Sequence, residues 1–169
     1  MATTLSRSLN PDKALIFRIT HRDNLPWLLA NGLYCRSAEE QDRGFVTIGR
    51  QELIDRRATR EVPVPSGGML SDYIPFYFTP HSMMLYNIVT GHGVPRQARE
   101  DIVVLVSSLP HLERLGVGFL FTDRHAYLAN AEFSRRLEDL AKFVPWELLQ
   151  TSDFKRDLEN PEKTDRYQA

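Results

Sequence analysis

The segment Ser71–Pro80 constrains the fold more than any other stretch, because it combines the densest run of aromatic side chains with two prolines. An apolar run between turn residues predicts a β-strand, and the prolines restrict that strand to a sheet edge or a strand start. Alternation divides the side chains between two faces, with Ile74, Phe76 and Phe78 on one and Tyr73, Pro75 and Tyr77 on the other. One face is expected to join the core, while the other either meets solvent or forms the wall of a pocket.

Composition narrows the class of protein. The 169 residues are 42% apolar and 25% charged, which is typical of one soluble globular domain with a full core. The formal net charge of −1 gives no overall electrostatic case for nucleic-acid binding, so local arginine clusters matter more. Cys35 is the single cysteine, which rules out an internal disulfide and favours a reducing cytoplasm. No apolar run approaches the roughly 18 residues that span a bilayer, so no membrane association is expected.

Short apolar runs predict the remaining elements of an α/β scaffold. Residues 14–20 are expected to form a first strand, and the continuous β-branched run at 101–107 is the clearest buried strand. A further strand is expected at 118–122 and a helix at 133–144. Residues 1–13 are polar and are expected to be frayed. Nothing in the pattern divides the chain, so residues 1–169 are predicted to form a single domain.

Two polar corners follow apolar strands. The first, at residues 20–24, joins the strand at 14–20 to a short helix that begins near Pro26 and ends at Gly32. Its polar side chains suit an anionic or amide-bearing ligand, although a plain helix cap beside a bystander His21 is the alternative. The second corner, at residues 123–127, carries His125 after another strand.

Arginines cluster in and after a predicted helix over residues 50–57. Four of them fall within eleven residues, namely Arg50, Arg56, Arg57 and Arg60. Their planar guanidinium groups can clamp phosphates or the pyrophosphate of a dinucleotide. The alternative is a solvated face paired with the carboxylates of Glu52, Asp55 and Glu61.

The common catalytic motifs are missing from the sequence. There is no glycine-rich dinucleotide fingerprint, no Walker phosphate loop, no serine hydrolase signature and no paired-histidine metal motif, so no metal site is expected. Cys35 lies in a loop with no cue for an activated thiol. What remains is a set of histidine, arginine, tyrosine and asparagine side chains.

Four pieces of sequence, taken in order over residues 15 to 168, resemble the DarT family. They are Ile19-Thr20-His21-x-x-Asn24-Leu25-Pro26, then Ile48-Gly49 with Ile54-x-x-Arg57, then Tyr73-x-Pro75-Phe76-Tyr77-Phe78-x-Pro80 with Met84-Leu85-Tyr86, and Phe121-Thr122-Asp123-Arg124-His125-Ala126. The resemblance implies an ADP-ribosyltransferase fold related to poly(ADP-ribose) polymerases, with a central mixed sheet and peripheral helices. It implies transfer of ADP-ribose from NAD+ to a base of single-stranded DNA, thymidine in the best-known branch. It also implies a toxin in the cytoplasm, paired with a macrodomain antitoxin, DarG, that removes the modification.

The same resemblance assigns roles to individual residues. It gives NAD+ binding to Thr20, His21, Asn24, Arg57, Tyr73 and Tyr77. It makes Arg57 and His125 catalytic, and it places Arg56, Arg124 and His125 at the nucleic acid. Arg57 matches an arginine thought to take a proton from the nucleobase, yet a guanidinium with a pKa above about 12 is a poor proton acceptor. Arg57 is therefore expected first to organise NAD+ and the nucleobase.

One departure from the family pattern concerns its catalytic glutamate. In the pattern, Arg-Tyr-Gln-Ala is followed by a glutamate on a closing strand, whereas Ala169 is the last residue here. The expectation is a single DarT-like domain that is truncated before this glutamate, which leaves both activity and inactivity of the 169 residues open. Glu159 and Glu162 lie in a turn ahead of the motif and are not substitutes. The alternatives are a non-catalytic relative that binds NAD+ or nucleic acid, and an ADP-ribosyltransferase that acts on protein or tRNA.

Overall fold

The computed structural model describes residues 4–151, 153, 155 and 157–169. Its contacts separate two compact units. The first unit comprises Met1–Phe17, Phe76–Met83 and Val106–Ala169, and the second comprises Arg18–Pro75 and Met84–Leu105. The single-domain prediction stays a prediction.

The elements are short and mix helix with strand. The helices are α1 (Thr4–Ser8), α2 (Leu25–Asn31), α3 (Gln51–Arg57), α4 (Met83–Thr90), α5 (Leu109–Arg114), α6 (Leu140–Phe143), α7 (Trp146–Thr151) and α8 (Lys163–Arg166). Single 3-10 turns occur at Arg22–Asn24, Leu70–Asp72, Arg99–Asp101 and Leu137–Asp139. The strands are β1 (Leu15–His21), β2 (Ile102–Ser108), β3 (Phe121–Thr122) and β4 (Phe133–Ser134). None of the helices among the described residues has the length and apolar character needed to cross a membrane.

The strands form small sheets. β1 pairs with β2 in one two-stranded sheet, and β3 pairs with β4 in another. The second pair is antiparallel, with Phe121 opposite Ser134 and Thr122 opposite Phe133. The mixture of helix and strand agrees with the α/β prediction.

Aromatic rings build the core of the first unit. Phe78 lies edge-on to Trp146, with ring centroids 5.3 Å apart, and edge-on to Phe121 at 6.3 Å. Leu9 is only 1% exposed and joins this cluster, and its carbonyl accepts a hydrogen bond from the side chain of Gln150. The prediction that residues 1–13 are frayed is therefore wrong for Leu9. The second unit has its own smaller core, formed by Ile48, Ile88 and Val94.

The aromatic segment does not form the predicted strand. It begins with the 3-10 turn at Leu70–Asp72, and its only ladder contact among the described residues is an isolated bridge between Phe17 and Tyr77. The two backbone hydrogen bonds of that bridge measure 2.8 and 2.9 Å. Pro75 and Pro80 flank the bridge and have no N–H to donate, so the ladder ends there.

Two other predictions fail for local reasons. β2 was expected to be buried, yet Val104 is 38% and Val106 57% exposed, because among the described residues the strand is hydrogen-bonded only to β1. The helix expected at 133–144 is replaced by β4, a 3-10 turn and α6. Ser134 accepts a hydrogen bond from the Arg136 amide and donates one to Asp139, and such local bonds compete with helix formation.

Asp153→Asn is expected to lower stability at neutral pH but not in acid. Lys163 donates a hydrogen bond of 2.7 Å to Asp153, which lowers the pKa of that carboxyl from its ordinary value. A carboxyl with a lowered pKa in the folded state stabilises that state above its ordinary pKa, and the contribution is lost as pH falls through the lowered value.

Urea denaturation of the wild type and the variant, compared at about pH 7 and about pH 2.5, measures this difference. Because Asp153 is exposed, the difference at neutral pH is small. The prediction fails if Asp153→Asn is equally destabilising when Lys163 is already replaced by Gln.

Candidate functional site

The predicted corner at residues 20–24 is well ordered by its own side chains. His21 is 8% exposed, and its Nδ1 atom accepts a hydrogen bond of 3.2 Å from the Asp23 amide. In the neutral ring this leaves the proton on Nε2, which is a hydrogen-bond donor. With Nδ1 accepting this hydrogen bond, Nε2 is the ring atom of His21 that can donate to a ligand.

Asn24 has a different role from the helix cap that the sequence indicated. It is 1% exposed, and its side-chain amide donates to the Thr20 hydroxyl and to the Val46 carbonyl, both at 3.0 Å. Its Oδ1 atom accepts from the Val46 amide at 2.8 Å. The side-chain amide thus pairs with both backbone groups of Val46, as a strand neighbour would, and attaches that residue to the corner. It does not cap α2.

Arg57 projects from the end of α3 onto two backbone carbonyls. Its Nη2 atom lies 2.8 Å from the Leu70 carbonyl and 3.4 Å from that of Tyr73. Tyr73 in turn donates its hydroxyl to the Gly67 carbonyl at 2.8 Å. A side chain on Gly67 would place its Cβ 2.5 Å from the Val62 carbonyl, which explains the glycine at this position. Arg57 and Tyr73, predicted together at the site, are therefore held by one turn.

The other members of the arginine cluster do not join Arg57. Arg56 is exposed and forms an ion pair with Glu52 one helical turn away, as the solvated-face alternative predicted. Arg50 lies against Gly93, where a Cβ would come within 2.7 Å of its Nη2 atom. Arg50 and Arg56 therefore do not form one common clamp with Arg57.

The second corner, at residues 123–127, is built around a largely buried ion pair between Arg124 and Asp123. Arg124 donates from Nε to Asp123 at 2.8 Å, and Glu162 lies 3.5 Å from its Nη1. The hydrogen bond to Asp123 raises the pKa of Arg124, so this guanidinium stays charged. Asp123 also accepts from the Glu132 amide at 2.9 Å, which ties the corner to the start of β4.

His125 repeats the local geometry of His21. Its Nδ1 atom accepts a hydrogen bond of 3.2 Å from the Tyr127 amide, so the neutral ring carries its proton on Nε2. Its own amide donates to the Asp165 carbonyl at 3.0 Å. The sequence located both histidines at strand ends, but the shared turn that sets their tautomers appears only in the structure.

The predicted residues divide between the two units. Thr20, His21, Asn24, Arg56, Arg57 and Tyr73 lie in the second unit, whereas Tyr77, Arg124 and His125 lie in the first. Tyr77 is half-buried and uses its backbone to pair with Phe17. Among the residues that the structure describes, no group of three or more His, Cys, Asp or Glu is placed to hold a metal ion.

Comparisons with known proteins identify the class of this fold. A family described as "ssDNA thymidine ADP-ribosyltransferase, DarT" matches residues 17–169. A DNA ADP-ribosyl transferase of Escherichia coli O127:H6 (strain E2348/69 / EPEC) is 49% identical over 170 residues, which cover 100% of this chain and 78% of that protein. A DNA ADP-ribosyl transferase of Thermus sp. (strain 2.9) is 38% identical over 159 residues, covering 94% of this chain and 74% of its own length.

Solved structures agree with these matches. Thermus sp. 2.9 DarT in complex with ADP-ribosylated ssDNA superposes with a TM-score of 0.79 at 40% identity, covering 92% of this chain and 74% of the Thermus chain. The same Thermus protein in complex with NAD+ gives a TM-score of 0.73 at 38% identity, with the same coverage. The fold is thus that of an NAD+-dependent ADP-ribosyltransferase. The chain belongs to the DarT family of DNA ADP-ribosyltransferases.

Proposed function

We propose that this chain transfers ADP-ribose from NAD+ to a thymidine base of single-stranded DNA within a short sequence context. The family match over residues 17–169 carries the proposal. In the reaction, the bond between the ribose carbon and nicotinamide breaks, and a bond from that carbon to the base forms. Thymine in DNA has a single ring N–H, so that nitrogen is the natural nucleophile and its proton is lost.

The corner at residues 20–24 supports a role in holding NAD+. Nicotinamide ribose hydroxyls and the carboxamide oxygen accept hydrogen bonds, and the Nε2–H of His21 is a donor with a fixed direction. Thr20 and Asn24 are bonded to each other, so we assign them the task of keeping the corner rigid. That either Tyr73 or Tyr77 flanks the nicotinamide ring stays a prediction.

Arg57 is proposed to orient the reacting groups. Two backbone carbonyls accept from its Nη2 atom and hold the planar group in one orientation, in which the guanidinium can bind a phosphate of NAD+ or a carbonyl of the base. Because the donors are already oriented, no free energy is spent on reorienting them when the bond to nicotinamide breaks. Loss of the thymine proton then requires an acceptor other than a charged guanidinium, unless Arg57 gives up its own proton.

Arg124 and His125 are proposed to contact the DNA. A charged guanidinium can bind a phosphate, and an imidazole can stack on an unpaired base or donate to a phosphate. The Asp123 and Glu162 carboxylates neutralise part of the charge on Arg124, so His125 is the stronger candidate for base contact. Arg56, on an exposed helix face, is the remaining proposed phosphate contact.

The setting of the enzyme is also proposed. The family resemblance implies a cytoplasmic toxin whose DNA modification is removed by a macrodomain antitoxin. Co-expression with such an antitoxin should restore growth of cells in which the chain is toxic. Growth that stays inhibited, while the antitoxin is present and active on modified DNA, would argue against this pairing.

The proposed NAD+ site predicts a saturable rise in melting temperature as NAD+ is added, because a ligand that binds only the folded state stabilises it by mass action. His21→Ala should reduce this rise by more than half, since the Nε2–H donor is lost. His111→Ala, which removes an exposed histidine outside the corner, is the matched control. Its rise in melting temperature with NAD+ should equal that of the wild type. No rise in any variant would count against the NAD+ site.

The acceptor is tested with labelled NAD+ and synthetic DNA. A single-stranded oligonucleotide with one thymidine is expected to be labelled. The same strand with cytosine in place of that thymine is expected to stay unlabelled. The chain should be assayed both as its 169 residues and with an extension that carries the glutamate of the family pattern. Label on protein or tRNA, with none on the thymidine strand, would overturn the proposed acceptor.

A further inference from the structure

The orientation of Arg57 depends on one 3-10 turn, Leu70–Asp72. This turn and the next residue supply both carbonyls that accept from Nη2, at 2.8 and 3.4 Å. The Leu70 carbonyl also accepts a backbone hydrogen bond from the Tyr73 amide at 3.3 Å. Since backbone carbonyls are rigid only when the turn is closed, any group that closes this turn also fixes the guanidinium.

Asp72 closes the turn with its side chain. Its Oδ2 atom accepts a hydrogen bond of 2.8 Å from the Met69 amide, in addition to the backbone bond from the Asp72 amide to the Met69 carbonyl at 3.0 Å. The carboxylate also occupies the space beside Gly68, where a Cβ would lie 2.5 Å from Oδ2. Gly68 has φ +66°, a conformation that glycine adopts without strain. The absence of a side chain at Gly68 therefore makes space for the Asp72 carboxylate.

Ser37 attaches a second segment to this turn. Its amide donates to the Ser71 carbonyl at 3.3 Å, and its hydroxyl lies 3.4 Å from the same carbonyl. The hydroxyl also hydrogen-bonds the Asp72 carboxylate, which lowers the pKa of that carboxyl. A hydroxyl has one proton, and the charged carboxylate is the stronger acceptor. Residue 37 thus holds the polar segment 33–44 against the turn.

We propose that Asp72, supported by Ser37, is a positioning residue for the transfer reaction: it holds the turn whose carbonyls orient Arg57. The inference rests on the proposed role of Arg57. Asp72 reaches the reacting groups only through that turn, so its loss should weaken the orientation of the acceptor base more than the binding of NAD+.

The test compares Asp72→Asn, Asp72→Ala and Ser37→Ala in the full chain. Asp72→Ala is expected to lower kcat for labelling a thymidine oligonucleotide about 10-fold, with a smaller effect on the rise in melting temperature caused by NAD+. Asp72→Asn keeps an oxygen for the Met69 amide and should lose less. Asp42→Asn is the matched control, because Asp42 also closes a local turn, through the Gly44 amide, and that turn is not the one that holds Arg57.

Non-additivity separates positioning from a general structural role. With Arg57 replaced by Lys, Asp72→Ala should cost little more, because the group that it orients is gone. A full further 10-fold loss in that background would overturn the proposal, as would an unchanged kcat in Asp72→Ala.

A readout without catalysis keeps the proposal testable if the chain transfers nothing. The Nε–H signal of Arg57 in nitrogen-15 NMR, assigned by its absence in Arg57→Lys, should be sharp in the wild type and in Asp42→Asn. It should shift or broaden in Asp72→Ala. If that signal is unchanged, Asp72 does not position Arg57, whatever the activity. If it changes while no thymidine is labelled, the proposed function fails and the positioning stands.

Discussion

Arg57→Ala is expected to lower the rate of ADP-ribose transfer to single-stranded DNA about 100- to 1,000-fold. The guanidinium is held by the Leu70 and Tyr73 carbonyls, so it is oriented before substrate arrives. Removal of such a donor raises the activation barrier of the transfer reaction, because a water molecule in its place is not held in the same orientation. The measurement is single-turnover labelling of an oligonucleotide with one thymidine, at saturating NAD+ and DNA.

Two substitutions show whether this loss of rate is specific to the planar guanidinium group of Arg57. Arg57→Lys keeps the charge but cannot reach both carbonyls and still present a planar pair of donors, so it should recover little of the rate. Arg36→Ala is the control, because Arg36 is an exposed arginine paired with Asp55 and has no assigned role. A rate for Arg57→Ala within a factor of about three of the wild type would refute the assigned role of this residue.

The sequence located the two polar corners because each follows an apolar strand. Strand ends are readable from periodicity, so His21 and His125 could be found without a structure. The partners of their Nδ1 atoms could not be found, because a turn between residues two apart leaves no signal in hydrophobic spacing. The family resemblance drew attention to Arg57, but neither it nor the spacing pointed to Asp72.

The fold was predicted best where apolar spacing is unambiguous and worst where backbone hydrogen bonds decide. β1, α2 and α3 lie close to their predicted positions, since each has clear apolar spacing or a terminating glycine. The aromatic segment was expected to form a strand at a sheet edge, but Pro75 and Pro80 have no N–H to donate, so the ladder does not extend beyond the bridge at Tyr77. For β2, a β-branched run fits a half-exposed strand as well as a buried one, so burial could not be read from the sequence.

Trp146→Ala is expected to destabilise the protein by about 3–5 kcal/mol. The indole is 7% exposed, contacts Phe78 edge-on with centroids 5.3 Å apart, and donates from Nε1 to the Leu140 carbonyl at 2.9 Å. Truncation removes the buried surface, the ring contact and the hydrogen bond together, and it leaves a cavity in the core of the first unit. Urea denaturation followed by far-UV circular dichroism measures the loss.

Trp146→Phe separates packing from hydrogen bonding. It keeps a ring against Phe78 but removes the Nε1 donor, and the Leu140 carbonyl still accepts from the Val144 amide at 3.2 Å, so no buried acceptor is left unpaired. The expected cost is about 1–2 kcal/mol, for the lost hydrogen bond and the smaller ring. Trp27→Ala is the matched control, since Trp27 is only half-buried on α2, which has no buried residue. If Trp146→Ala cost no more than Trp27→Ala, the aromatic cluster would not be the core of its unit, because a half-buried ring has far less surface to lose.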